Sequence, residues 1–485
     1  MLRRFWAVVF LVVTVFAVTA AFQWVRSRVA LDVTRGRLAT LVQKHEQLRR
    51  TYNEAVRRTA VTELLVRDGS LSVTIRTAEG IEEQISTPYD PSYEIYVDYV
   101  VVDGRLWIRR VFEEGMALKA QIGADKVFDL SLGNPVMEPP KEFHDELRRL
   151  ANTPLSGMHR YMPNPGYMET RQAVADTLKA ESGLDFGAGD VIMTCGAAAA
   201  ANVVLKTILN ECDEVIILSP YFWEYLYYID NHGGVAVVAA CDDQFQPDLA
   251  AIEAVMTPKT RAIMVNSPNN PSGAVYSEDS IKGLAALLER KQAEHGTEIF
   301  IISDEPYRRI IFDGMTFPQI LPHYDNSVVV TSHAKDLALP GERIGYIAVN
   351  PNYAGKEELS GGLSFCNRTL GFVNAPALMQ HIVRNLQGVS VDAGYYEKKR
   401  DYLCHNLGEL GYEVVQPQGA FYLYPKAPIE DDVVFCRTLL NSNVLVVPGR
   451  GFGTPGYFRI SYCVEDWVLE GAVQGFSKAV AAPEG

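Results

Sequence analysis

Lys335 follows the apolar run Val328 to Val330 in the segment SVVVTSHAKDLALPGERIGYIAV, and Arg343 comes eight residues later. A lysine at the mouth of a core strand suits Schiff-base chemistry on a carbonyl, which needs a neutral amine and so a lowered pKa. Arg343 is a cation that lowers such a pKa, and its planar fork also fits a phosphate. Other apolar runs end in residues of the same kind: Asn270 in SPNNPSG, and Asp304 and Tyr307 in SDEPY. Asp304 suits a ring nitrogen that must stay protonated, while Tyr307 and Asn270 suit a phenolate oxygen. In TCGAAAAAN a helix starts at Gly196 with side chains too small to block approach to its free amides, which makes an anion site. Each feature alone is ordinary, since Pro-Asn-Asn-Pro reads as a turn, a buried Asp as a cap and an Ala run as tight packing.

These residues need elements that bring them to one place. Glu214 to Ser219, Gly234 to Ala240, Ala262 to Ser267, Glu298 to Glu305 and Ser327 to Ser332 are continuous apolar runs. Amphipathic helical stretches such as Ser277 to His295 separate several of them. Runs of this kind joined by helices predict an α/β fold with a mostly parallel sheet covered on both faces. Ligands of such sheets bind beyond the carboxyl ends of the strands, which is where Asn270, Asp304, Tyr307 and Lys335 fall. A ligand with an aldehyde, a phosphate, a pyridine nitrogen and a phenol answers all of them, and pyridoxal 5'-phosphate is that ligand.

The ordered segments TCGAAAAA, SPYF, NSPNNPSG, SDEPY, SHAKDLALPGERIGY and GYFRISYC resemble the class I/II aminotransferases of fold type I, over about Trp107 to Ala479. The resemblance implies a large domain at about 160–370 and a small domain from 106–159 plus 371–485. It implies transfer of an amino group between an L-amino acid and a 2-oxo acid, with Lys335 as Schiff-base lysine and proton shuttle. Asp304 would pair with the ring nitrogen, and Asn270 and Tyr307 with the ring oxygen. Gly196, Ala197, Ala198, Ser332 and Arg343 would cradle the phosphate, and Phe222, with Trp223 next door as the alternative, would stack on the ring. Arg459, with Gly133 and Asn270, would take the substrate carboxylate. Tyr161 would reach the phosphate of a neighbouring subunit, which implies a homodimer with shared sites. Ala197, Ala198 and Ala334 stand where side-chain donors are common in relatives, so backbone amides, Ser332 and Arg343 must hold the phosphate. The same site could also serve β-elimination, decarboxylation or racemisation, or a membrane-tethered protein that only binds the cofactor or an amino acid. Arg368 and Arg160 are the candidates for reading a distal carboxylate.

Composition narrows the rest. The net charge of −14 argues against nucleic acid as partner. Seven scattered cysteines without CxxC, and nine histidines without HExxH, give no metal or disulfide framework. Phe5 to Trp24 carries no charge over 20 residues, enough to cross a membrane, so 1–28 reads as an anchor. Arg26, Arg28, Arg35, Arg37 and Lys44 outnumber Arg3 and Arg4, which places the catalytic domain in the cytoplasm. Residues 29–66 read as a helical stalk, with Leu31, Leu38, His45 and Tyr52 on one heptad position and Leu41, Leu48 and Ala55 on the other. Residues 67–105 alternate as a small β-rich module with a hairpin signal at Asp103-Gly104, ahead of the catalytic part at 106–485.

Overall fold

The computed structural model describes residues 59–67, 70–77, 82–88, 115–116 and 118–481. It divides into two units, Met1–Asp103 and Gly104–Gly485. In the first, β1 (Thr59–Arg67), β2 (Ser70–Thr77) and β3 (Glu82–Pro88) form an antiparallel meander in that order. Residues 59–66 therefore belong to a strand and not to the helical stalk. TAVTELLVR is rich in β-branched side chains, which pack well on a pleated surface and lose rotamer freedom in a helix. Arg67 pairs with Ser70, and the sequence between them is Asp68-Gly69, the same turn signal noted at Asp103-Gly104. The anchor run, the heptads and Asp103-Gly104 lie outside the described residues. Among the described residues no helix is long and apolar enough to cross a membrane.

In the second unit β4 (Phe128–Asp129) comes first. It is followed by β5 (Val191–Thr194), β6 (Glu214–Ser219), β7 (Val235–Ala240), β8 (Thr260–Asn266), β9 (Phe300–Asp304), β10 (Ser327–Ser332) and β11 (Gly345–Val349). The last seven form one sheet in the order β5-β11-β10-β9-β8-β6-β7. The pairings from β10 through β9, β8 and β6 to β7 are parallel, and β11 runs antiparallel to both β10 and β5. Nearly every side chain of β5, β6 and β8 to β11 is buried, which is why these strands read as continuous apolar runs. The helix Glu278–His295 joins β8 to β9; Ser277 caps it by accepting from the Ser280 amide, and Gly296 ends it in the left-handed region at φ 68°.

A second core gathers around Leu130, Tyr396, Leu403, Leu407, Phe421, Phe435, Ile460 and Phe476. It includes a small sheet, β12 (Tyr422–Leu423), β15 (Phe458–Ser461) and β14 (Val447–Pro448), while β13 (Val444–Leu445) pairs with β4. The resemblance assigns residues 106–159 and 371–485 to the small domain. Phe143 and Leu150 of the helix Lys141–Asn152, and Met379, Ile382 and Val383 of the helix Ala377–Val383, pack with Val191, Met193 and Tyr346 of the large sheet. Their apolar stripes face that sheet, so these two helices go with it and not with the small-domain core. Tyr307 follows β9 yet packs into the second core, so the strand ends lie where the two cores meet.

Candidate active site

Strand register brings the predicted residues together. Asn266 pairs with Asp304 and Asp304 with Val330, so β8, β9 and β10 end side by side. Just beyond those ends come Asn270, Tyr307 and Lys335, the last on the short helix His333–Asp336 that Ser332 precedes. β11 lies between β5 and β10, and Gly345 pairs with both Thr194 and Ser332. Arg343, two residues before Gly345, is thereby carried to the start of the helix Ala197–Ile208.

Lys335 Nζ donates to Gly133 O at 2.7 Å and lies 5.3 Å from the Phe421 ring centroid and 5.9 Å from that of Tyr307. Its pKa is brought down to about 8, first by burial and further by Arg459 and Arg343, against an opposing pull from Cys463. Burial, more than the neighbouring cations, is thus what makes this amine available. Asp304 is buried and accepts from Tyr225 Oη at 2.5 Å through Oδ2, while Oδ1 is buried with no partner. Burial raises the Asp304 carboxyl to about 7, partly opposed by the Tyr225 hydrogen bond. An orphaned carboxylate oxygen of this kind awaits a donor.

Gly196 has φ 90°, and a Cβ there would lie 3.1 Å from Arg343 Nη2, so its lack of a side chain lets the arginine close on the helix start. Arg343 Nη1 donates to Pro340 O at 2.9 Å and Nη2 to Cys195 O at 3.3 Å. Ala197 and Ala198 open the helix, where the first amides have no acceptor within it. Free amides beside a guanidinium fit a phosphate, and Asp304 Oδ1 fits a protonated ring nitrogen; the residues present suit pyridoxal phosphate.

Arg459, on β15, is buried between the rings of Tyr422 and Phe452, each 4.9 Å from its guanidinium carbon. Nη1 donates to Asn270 Oδ1 at 3.1 Å, Nη2 to Ser131 O, and Nε has no partner. Phe222 is half-buried with its ring edge-on to Tyr225, the centroids 5.5 Å apart. Tyr161 is not in this cluster, since its side chain is 90% exposed. Of the distal-carboxylate candidates, both Arg160 and Arg368 are exposed, and Arg368 donates to Asn164 Oδ1 at 3.2 Å.

Tyr422 and Cys463 were not singled out from the sequence, and Tyr225, expected near the mouth with Tyr161 and Tyr221, had no role assigned. Tyr225 holds Asp304, Tyr422 bonds Tyr307 through their hydroxyls at 2.9 Å, and Cys463 is a buried thiol whose field reaches Lys335. Tyr225 stands one helical turn after Phe222, which is the local signal that could have found it. His333 is buried with Nδ1 3.0 Å from Asp336 Oδ2.

Comparison with known proteins gives the family. The family described as "Aminotransferase class I and II" matches residues 125–476. The aspartate/prephenate aminotransferase of Thermus thermophilus is 32% identical over 359 residues, spanning 72% of this chain and 90% of its own. A solved amino transferase from Eubacterium rectale superposes with a TM-score of 0.76 at 39% identity, covering 79% of this chain and 97% of its own. The T. thermophilus aspartate aminotransferase solved with maleate gives a TM-score of 0.69 at 28% identity, covering 78% of this chain and 97% of its own. This chain belongs to the class I and II aminotransferases, and it is a pyridoxal-phosphate-dependent enzyme that exchanges an amino group between an amino acid and a 2-oxo acid.

Proposed function

We propose that Lys335 is the amine that holds the cofactor and moves the substrate Cα proton, and that the residues around it bind and tune that cofactor. The observation carrying this reading is a lysine brought down to about 8 just past the end of β10, while the neighbouring strand β9 ends in a buried carboxylate, Asp304, with one oxygen unpartnered. When bound, pyridoxal phosphate supplies an aldehyde that condenses with amines and a ring that takes up the electron pair left at Cα. Asp304 Oδ1 accepts from the ring nitrogen, and a positive charge there returns Asp304 to its ionised form. Tyr307 and Asn270 serve the ring oxygen, and Phe222 packs against the ring. The amides of Ala197 and Ala198 at the Gly196 helix start, with Ser332 and Arg343, take the phosphate.

Arg459 grips the substrate carboxylate, assisted by Asn270 and Gly133. Its cage of Tyr422, Phe452 and the Ser131 carbonyl fixes the fork, and a fixed fork orients the bound amino acid. Gly133 O holds the Lys335 amine inside the cavity. With a pKa of about 8, roughly one Lys335 in ten is neutral at pH 7, which suits a general base.

Tyr161, exposed on one chain, serves the partner's phosphate in a homodimer with shared sites. The reading of a membrane tether with the catalytic part in the cytoplasm rests on the uncharged run Phe5 to Trp24 and the basic residues after it. The T. thermophilus relative is named for aspartate and prephenate, so aspartate is the first amino donor to assay.

Borohydride reduction of the loaded protein followed by peptide mass mapping tests the role of Lys335. The cofactor should be trapped on the peptide containing Lys335 and nowhere else. Trapping on another lysine, or unchanged trapping in Lys335→Ala, would sink the assignment.

A further inference from the structure

Tyr307 and Tyr422 form a pair of buried tyrosines whose hydroxyl oxygens are 2.9 Å apart. Both are raised above the ordinary tyrosine value by burial, Tyr307 well above it and Tyr422 to about 12, so both keep their protons at neutral pH. Two hydroxyl protons share one hydrogen bond, so one of them must be offered elsewhere. Among the described residues Tyr422 Oη makes no hydrogen bond except to Tyr307. The charged group nearest its ring is the Arg459 guanidinium, 4.9 Å from the centroid, which has only donors to give.

Tyr422 is also held in place from three sides. Strand pairing sets Tyr422 opposite Ser461 and Leu423 opposite Ile460, next to Arg459 on β15. A Cβ at Gly133 would lie 1.9 Å from Tyr422 Oη, so the hydroxyl rests against bare backbone at the residue that accepts from Lys335. The rings of Tyr307 and Tyr422 meet edge to face at 82°, centroids 5.7 Å apart.

We infer that Tyr422 is a positioning residue: it donates to Tyr307 Oη and so directs the Tyr307 proton to the cofactor's ring oxygen. The relay runs from Tyr422 O–H to Tyr307 O–H to that oxygen, and it favours the oxygen's anionic form. Hydrogen bonds in series polarise one another, so Tyr307 donates more strongly with Tyr422 behind it than alone. This inference rests on the proposed assignment of Tyr307 to the ring oxygen.

The test is a visible-absorption pH titration of the cofactor-loaded full-length protein, wild type beside Tyr307→Phe, Tyr422→Phe and the double variant. Tyr307→Phe should raise the titration midpoint, by roughly one pH unit for a lost hydrogen bond. Tyr422→Phe should raise it by a smaller amount, and in the Tyr307→Phe background the second substitution should add nothing. A Tyr307→Phe midpoint equal to wild type overturns the Tyr307 assignment and the relay with it. A shifted Tyr307→Phe with an unshifted Tyr422→Phe, or fully additive shifts, overturns the relay alone. If Tyr422→Phe proves poorly folded, Tyr307→Phe with 3-fluorotyrosine incorporation replaces it. More acidic hydroxyls in the otherwise wild-type protein should lower the midpoint, and this effect should shrink in Tyr307→Phe; an undiminished effect overturns the Tyr307 assignment and the relay with it.

Discussion

Tyr225 Oη donates to Asp304 Oδ2 at 2.5 Å, and the other oxygen of the same carboxylate is buried without a partner. One half of Asp304 is thus committed to the protein and the other is free for a ligand. With burial raising Asp304 to about 7, the unloaded protein holds a proton there that the unfolded chain releases at about pH 4. The native state binds more protons than the unfolded state over this window, so stability from this group falls as pH rises from about 4 to about 7. Asp304→Asn has no charge to bury. Its melting temperature without cofactor should gain on wild type across that window, while its cofactor affinity falls. A gap between the two proteins that stays constant with pH would contradict this.

Lys335 reacts as the free amine, and its pKa is brought down to about 8. The rate of cofactor capture by the unloaded protein should therefore rise about tenfold per pH unit below that value and flatten above it. Stopped-flow mixing with pyridoxal phosphate measures this. A flat profile between about pH 6 and pH 8 would mean the amine is not the reacting group.

Arg459 is fixed between two rings and shared with Asn270 and Ser131, a setting that one ammonium cannot reproduce. Arg459→Lys should lower kcat/KM for every amino acid and oxo acid by about 10- to 100-fold, the worth of a charged hydrogen bond. Cofactor affinity should stay near wild type. Steady-state kinetics with a cofactor titration separates these effects, and loss of cofactor binding alone would move Arg459 out of the substrate clamp.

Gly196 sits at φ 90° with Arg343 closed over it. Gly196→Ala strains the backbone and crowds the guanidinium, so the cofactor Kd should rise by about tenfold, from roughly 1–2 kcal/mol of strain. Equilibrium dialysis reads the change.

Tyr161 is exposed on one chain, and the shared-site proposal places it in the partner's site. Lys335→Ala and Tyr161→Ala should each be impaired. Denaturing and refolding them together should return about one quarter of wild-type activity, because half the dimers are hybrids with one intact site. Full independence of the two variants would show that the sites are not shared.

Several elements could be read from local pattern. Glu214–Ser219 and Ser327–Ser332 coincide with their apolar runs because a strand buried on both faces needs no polar residue until it ends. Lys335, Asp304 and Asn270 were legible because that sheet topology puts function just past those ends. Tyr422 was not, since its partner lies 115 residues away and nothing local marks the bond, and Tyr225 could be placed near the mouth beside Phe222 but not joined to Asp304, 79 residues on. The heptad positions end at Ala55, and the β-branched residues of Thr59–Arg67 favour the strand that forms there.

The most direct test of the account is the visible spectrum of the loaded full-length protein, before and after aspartate, beside Lys335→Ala. The account predicts a long-wavelength band that aspartate bleaches and an added 2-oxo acid restores in wild type, while Lys335→Ala lacks both the normal band and the cycle. A variant that bleaches and recovers as wild type does would contradict the central role given to Lys335.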